Sequence, residues 1–296
     1  MPQGKCLLCH REAELQLSHI LPAFVFRWLR ESSGGGFLRS GLAPNRRAQD
    51  GEKRYWLCLN CEQLFGRWEK TFADRLFYPY LKASGAHFGY AHWLMRFCVS
   101  VSWRALHFIL DESPVEDWDA EAIGRARSAE KVWREYLIGA RQRPGECRQH
   151  LLPLDRIGDS TNELVPFINR YIMRAVQADI IRGDQSILTF VKLGRFVILG
   201  FVYEPNPKRW RGTEVHPVQG VVRPRHYHLP AGLIEYFKEN AQHGQDLLAG
   251  LSERQRKKIE TSRRANMDAY AGSDAFMALH ADVEMFGDDA FASPKK

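Results

Sequence analysis

The sequence lacks a long hydrophobic run and has few cysteines for its length. No apolar stretch reaches the ~20 residues of a membrane-spanning helix, since charged side chains interrupt the longest candidate, residues 92–110. We interpret that stretch as a buried helix and expect no membrane partner. The N-terminus has no apolar signal-peptide core, so we expect a cytoplasmic protein. Six cysteines in 296 residues are too few for a disulfide scaffold.

Positive charge exceeds negative charge in this chain. The formal net charge is +7 and the isoelectric point is about 9.1. A basic surface attracts polyanions, of which nucleic acid is the commonest. Because many basic proteins bind no nucleic acid, charge alone does not decide the partner, and the motifs must be considered.

The pattern of the chain indicates an α+β protein with three parts. Residues 1–80 contain paired cysteines, residues 81–286 form a second α+β region, and residues 287–296 have the composition of a disordered tail. In the second region we predict helices within 81–140, antiparallel strands within 165–225 and helices within 229–280. The expected strands are 171–181, 186–191 and 196–203, which suggest an antiparallel meander.

Local signals subdivide residues 1–80. Residues 31–44 are rich in glycine and serine, which predicts a flexible loop. Tyr55 and Trp56 favour a short strand over 53–57. From Cys61 onward, apolar residues recur at intervals of three and four, which predicts a helix that ends at Pro79.

Four of the six cysteines form two Cys-x-x-Cys pairs, Cys6 with Cys9 and Cys58 with Cys61. This spacing allows two thiolates to bind one tetrahedral ion, so two pairs predict a four-thiolate structural zinc site. The 48 residues between the pairs indicate an insertion, since a plain zinc ribbon is shorter. Four unrelated buried cysteines and a redox pair are the alternatives. The matched spacing disfavours the first, and the absence of a βαβ context disfavours the second.

A histidine motif lies between the cysteine pairs. The segment Leu17-Ser18-His19-Ile20-Leu21-Pro22 begins eight residues after Cys9, and Glu62 follows Cys61 directly. With Trp56-Leu57-Cys58, these segments resemble the HNH, or ββα-metal, nuclease superfamily in its treble-clef form. The resemblance covers about residues 5–78. It extends to uncharacterised bacterial HNH-like proteins that share Ser-His-Ile-Ile-Pro and Leu-Cys-x-x-Cys-Glu segments.

The resemblance implies a metal-dependent endonuclease that hydrolyses the phosphodiester bonds of nucleic acid, with DNA the expected partner. Such chemistry needs a base to activate water and a divalent cation to stabilise charge on the phosphate. By position, the resemblance makes His19 the base, and it makes His19 and Glu62 the candidate ligands of catalytic Mg²⁺ or Mn²⁺. Glu69 lies two helical turns further on the same face, as a second ligand or a group that orients His19. The resemblance also implies a role in bacterial defence against phage.

The sequence departs from the family pattern at three positions. Ser18 replaces the usual Asp or His before the base, and Glu62 replaces the usual helix Asn or His. The family's middle Asn has three candidate counterparts, Asn45, Gln49 and Asp50. These departures keep a second hypothesis open, a non-catalytic zinc module that binds nucleic acid or a protein partner.

Basic residues surround the predicted site and are expected to hold phosphate groups. They are Arg46, Arg47, Lys53, Arg54 and Arg67. A second basic cluster within residues 254–264 is interpreted as a solvated helix face. The region beyond residue 80 is expected to select substrate or to bind a partner protein or a second copy of the chain.

Overall fold

The computed structural model shows a mixed α+β fold, as the sequence predicts. It describes residues 1–33, 36–41, 43–48, 50–112, 118–159, 163–183, 185–223 and 227–291, without the side chains of residues 40, 43 and 47. All structural statements below concern these residues.

A three-stranded antiparallel sheet, a two-stranded antiparallel pair and three helices form the N-terminal region. The strands and helices up to residue 82 are β1 (Gln3–Lys5), β2 (Glu12–His19), α1 (Ala23–Glu31), β3 (Leu38–Ser40), β4 (Ala43–Ala48), β5 (Lys53–Cys58), α2 (Leu59–Phe72) and α3 (Tyr78–Lys82). Strand β2 lies between β1 and β5, and β5 continues directly into α2. The predicted strand at 53–57 is confirmed. The segment predicted as a loop, 31–44, instead contributes to an antiparallel pair, β3 with β4.

Pro79 does not end the helical run, contrary to the prediction. A π-helical turn, Ala73–Phe77, joins α2 to α3, and Pro79 occupies the first turn of α3. The N–H groups of a first helical turn have no partner within their own helix, so proline loses nothing there. Leu76 and Phe77 of the π-helical turn are buried.

Two long helices, a four-stranded sheet and a group of C-terminal helices complete the fold. The remaining elements are β6 (Phe88–Ala91), α4 (His92–Glu112), α5 (Ala120–Leu137), β7 (Gln149–Pro153), α6 (Ile168–Arg174), β8 (Val176–Arg182), β9 (Ile187–Leu193), β10 (Phe196–Tyr203), β11 (Gln219–Val222), α7 (Ala231–Ala249), α8 (Glu253–Ala265), α9 (Met267–Ala271) and α10 (Asp274–Phe286). The sheet order is β7-β10-β9-β8, all antiparallel, and β11 pairs with β6.

The predicted meander is present as β8, β9 and β10, but its first strand begins later than predicted. Residues Tyr171 to Arg174 belong to α6, whose Ile168 and Ile172 are buried four residues apart. A short apolar run fits a helix and a strand equally well, which explains the error. In the predicted tail, Gly287–Ala290 form a 3₁₀ helix with Ala290 fully buried. Residues 292–296 lie outside the described residues.

One hydrophobic core joins the N-terminal region to the rest of the molecule. Phe72 of α2 stacks on Phe97 of α4, with ring centroids 4.0 Å apart. Phe196 of β10 contacts both Phe72 and Phe77, at 5.4 and 5.9 Å. Residues on either side of position 80 therefore share one core, with α4 at its centre.

The interpretation of residues 92–110 as a buried helix is confirmed, because α4 has fifteen buried residues. In the described part of the chain, no helix is long and apolar enough to cross a membrane.

Candidate functional site

The four paired cysteines converge on one point. Their Sγ atoms all lie within 4.8 Å of one another, and the Sγ atoms of Cys9 and Cys58 are 3.8 Å apart. Four thiolates at about 2.3 Å from a tetrahedral zinc ion are about 3.8 Å from each other. The cluster could therefore hold a metal ion such as zinc.

Local backbone geometry presents the sulfurs. The first pair lies on a turn after β1, which closes when the His10 amide donates to the Cys6 carbonyl at 2.8 Å. His10 has a left-handed φ of 61°, the conformation that reverses the chain after Cys9. Cys58 caps α2 and Cys61 stands in its first turn, where the partial positive charge of the helix N-terminus favours thiolates.

Charge at the cluster also favours a thiolate. A hydrogen bond from Cys61 is the main cause that lowers the pKa of Cys6 to about 4, and the same contact raises the pKa of Cys61. Exposed Arg11 hydrogen-bonds Cys9, which raises the pKa of the guanidinium. A four-thiolate zinc unit carries a net charge of −2, so Arg11 would balance part of it.

His19 forms a pair with Asp50 at the end of β2. Its Nε2 lies 2.9 Å from Asp50 Oδ1, and Lys53 Nζ lies 2.6 Å from Asp50 Oδ2. Burial opposes ionisation, but hydrogen bonds from Lys53 and His19 outweigh it and lower the pKa of Asp50 to about 2. Asp50 is therefore a carboxylate at neutral pH and orients the imidazole. The His19 Nδ1 atom has no hydrogen-bond partner among the residues described.

Asp50 is one of three candidates for the family's middle asparagine. Of these, Asp50 contacts His19. Asn45 instead accepts a hydrogen bond from the Ser252 amide at 2.9 Å, in the linker between α7 and α8. Gln49 lies outside the described residues.

Glu62 contacts Ser18 and not the histidine next to it. Ser18 is 1 % exposed, and its Oγ donates to Glu62 Oε2 at 2.6 Å. Successive side chains of a strand point to opposite faces, so Ser18 faces α2 while His19 faces Asp50. The structure thus joins the residue before His19 to the start of α2.

Glu69 reaches His19 through Arg104 of α4. Arg104 is 3 % exposed, its Nη2 lies 2.7 Å from Glu69 Oε1, and its Nη1 donates to the His19 carbonyl at 3.0 Å. Arg104 of α4 therefore links the His19 carbonyl at the end of β2 to Glu69 of α2. In the sequence, Arg104 is only an interruption of an apolar run. A charge in a helix that is otherwise buried was the signal for this contact.

The predicted phosphate contacts differ in availability. Arg54 donates twice to Glu112, at 2.6 and 2.7 Å, and once to Glu52 at 3.1 Å. Lys53 pairs with Asp50. Arg46 and Arg67 are exposed, whereas the Arg47 side chain lies outside the described residues. Two of the five predicted contacts are thus already paired with carboxylates.

The arrangement can bind one metal at the cysteines and can hold an oriented imidazole at a strand end. Over the residues that the structure describes, no second group of three or more histidine, cysteine or carboxylate side chains converges as the cysteines do. No family model, curated protein or solved structure matches this chain. The interpretation of the site therefore depends on its geometry and on the motif resemblance.

Proposed function

We propose that this protein is a metal-dependent, HNH-like endonuclease that hydrolyses phosphodiester bonds of nucleic acid. The observation that supports it most is the ββα arrangement of the site. Antiparallel β2 and β5 lead into α2, with the His19–Asp50 pair at the end of β2 and Glu62 in the first turn of α2. The order of these elements along the chain, with the candidate base at the end of β2 and the candidate metal ligand at the start of α2, supports the proposal.

In this proposal His19 is the general base. Asp50 holds Nε2, which leaves Nδ1 to accept a proton from the attacking water. Asp50 also stabilises the imidazolium that forms, as a carboxylate does beside a catalytic histidine. The exposed fraction of the His19 side chain is 18 %, enough for water to reach it.

Glu62 would hold the catalytic cation. Mg²⁺ typically binds one or two carboxylates and completes its shell with water and substrate phosphate, so a single glutamate is a sufficient anchor. When bound, Mg²⁺ or Mn²⁺ supplies charge stabilisation at the scissile phosphate. Ser18 keeps the Glu62 carboxylate in place beside the end of β2.

The cysteine site would hold structural zinc. It joins the turn after β1 to the start of α2, and so fixes β2 against the helix that bears Glu62. Exposed Arg46 and Arg67 would contact phosphates of DNA, the proposed substrate. Anti-phage defence is the biological role that the resemblance suggests.

A non-catalytic zinc module is the second candidate. Several polar groups of the site already have partners within the protein. Glu62 pairs with Ser18, Glu69 with Arg104 and Lys53 with Asp50. A binding surface needs no free metal ligands, whereas a nuclease needs Glu62 to exchange its contact with Ser18 for one with a cation.

Cleavage of plasmid DNA and of RNA in Mg²⁺ or Mn²⁺ separates the two candidates. We expect wild type to cleave, and we expect His19→Ala to lose about 10²-fold or more, the usual contribution of a general base. Glu62→Gln should also lose activity, because it removes the carboxylate that would hold the cation. His87→Ala, which removes an exposed histidine of the α3–β6 loop, is the matched control and should keep full activity. If wild type cleaves nothing, or His19→Ala cleaves equally well, the binding-module function is favoured.

A further inference from the structure

A cavity lined by arginines lies between the N-terminal region and the C-terminal helices. It has a volume of about 350 Å³, within the range of small-molecule sites. The β3–β4 pair, α6 and α7 surround it. We call it the arginine cavity, and its polar lining consists of Arg39, Arg170, Tyr171, Arg174 and Asn240.

An adjoining cavity of about 210 Å³ extends this site toward α8. The two share Arg39 and Arg174, and the second adds Lys258 and Arg263. No aspartate or glutamate is among the described residues that line either cavity. Five cationic side chains therefore line two neighbouring cavities whose described lining contains no acidic group.

The guanidinium of Arg174 hydrogen-bonds neutral groups among the described residues. Its Nη1 donates to Ser32 Oγ at 2.9 Å, its Nη2 donates to the Leu29 carbonyl at 3.0 Å, and its guanidinium lies over the Trp28 ring. Burial lowers the pKa of Arg174 to about 10, so it is charged at neutral pH. The charge of Asp274 acts against this fall in pKa, but no described carboxylate forms an ion pair with Arg174. A partly buried cation without an ion-pair partner is costly, and a bound anion would lower that cost.

The neighbouring arginines are held in place by other elements. Arg170 Nε lies 2.7 Å from the buried carboxylate of Asp282. Arg39 donates to the Pro44 carbonyl at 2.7 Å and to Gln255 Oε1 at 3.1 Å. Groups that are already ordered lose little entropy on binding, so the cavity is preorganised for an anion.

We propose that the arginine cavity binds a small phosphorylated organic molecule. One guanidinium group can donate two parallel hydrogen bonds to two oxygens of the same phosphate, which suits a site built from arginines. Phe167, Leu247 and Leu248 are the large apolar side chains of the lining. They would cover an apolar or aromatic group attached to the phosphate. A nucleotide has both parts. The site is separate from the cysteine cluster and from His19, so the proposal does not depend on the nuclease.

Calorimetric titration of the full chain with ATP and with pyrophosphate, without added divalent cation, tests the proposal. We expect binding of one equivalent. Arg174→Gln should weaken it about tenfold and Lys258→Gln about threefold, since each removes a charge-assisted contact. Lys257→Gln is the matched control, because Lys257 is the exposed neighbour of Lys258 on α8 but lines neither cavity. It should bind within twofold of wild type.

The Lys258 and Lys257 variants keep the proposal testable even if Arg174→Gln fails to fold, which circular dichroism would reveal. Equal affinities of these two variants would overturn it, as would the absence of binding by both probes. A DNA duplex that binds and loses affinity in Lys258→Gln, while ATP and pyrophosphate do not bind, would assign the cavity to nucleic acid and also overturn the proposal. Tighter binding of ATP than of pyrophosphate would support an organic group in the apolar part.

Discussion

The site around His19 and the arginine cavity balance their positive charges in different ways. Beside His19, Lys53 pairs with Asp50 and Arg54 pairs with Glu112. In the cavity, Arg170 pairs with Asp282, whereas Arg174 contacts a hydroxyl, a carbonyl and an aromatic ring. A cation that already has a carboxylate gains less from a phosphate than one that does not. Proximity of basic residues to a motif is therefore a poorer guide to phosphate binding than the partners of each side chain.

The two sites also differ in what orders them. The His19 site depends on the cysteine cluster, which connects two segments of the N-terminal region. The arginine cavity takes one wall from the β3–β4 pair, but its α6 and α7 walls pack on a hydrophobic core around Phe190 and Phe237. Removal of the metal should therefore disturb the site around His19 far more than the arginine cavity.

The largest expected effect is loss of the metal in Cys58→Ser. Structural zinc contributes about 10–16 kcal/mol of apparent binding free energy in small zinc domains, so a three-cysteine site should lose the metal and the ordered N-terminal region. Metal analysis by mass spectrometry and far-UV circular dichroism measure this. Cys147→Ser, which removes a cysteine outside the cluster, should keep the metal. Full metal content and unchanged melting in Cys58→Ser would contradict the prediction.

A smaller effect is expected at the buried arginines. Arg104→Met leaves Glu69 without its partner and should lower the free energy of unfolding by about 3–5 kcal/mol in urea denaturation. Arg174→Met should cost less, because it leaves no carboxylate behind. The double variant Arg104→Met/Glu69→Leu should recover much of the loss. Exposed Arg127→Met is the control and should change stability by less than about 1 kcal/mol. An equal cost for Arg104→Met and Arg174→Met would remove the distinction between paired and unpaired cations.

The smallest effect concerns pH. The pKa of Asp50 is about 2 in the folded protein and about 3.9 in an unfolded chain, so its contribution to stability is present above pH ~4 and is lost as pH falls toward 2. The carboxylate is 38 % exposed, so water screens the interaction and the effect is under about 1 kcal/mol. Unfolding measured from pH 5 to pH 2 should show a shallower decline in Asp50→Asn than in wild type. Asp288→Asn, an exposed carboxylate elsewhere, should follow wild type. Parallel stability curves for wild type and Asp50→Asn would show that Asp50 makes no such pH-dependent contribution.

Patterns within short segments were predictable, and contacts between segments were not. The cysteine spacing predicted the four-sulfur cluster, and the apolar period predicted α4 and much of α2. The sequence left Asn45, Gln49 and Asp50 as equal candidates, because each lies in the same poorly patterned segment. Packing against Ser252 removes Asn45 from the site, and the turn before β5 brings Asp50 to His19. Neither contact has a sequence signal.

The sequence by itself determined the four paired cysteines that could hold a metal, much of the helix that follows them and the location of a polar motif on β2. Only the tertiary structure decided which charges are neutralised and which face a cavity. The physical reason is distance along the chain: Ser18 and Glu62 are 44 residues apart, and Arg174 and Ser32 are 142 residues apart. Local spacing fixes backbone conformation, but the partner of a charge at such separation depends on how the elements pack in the core.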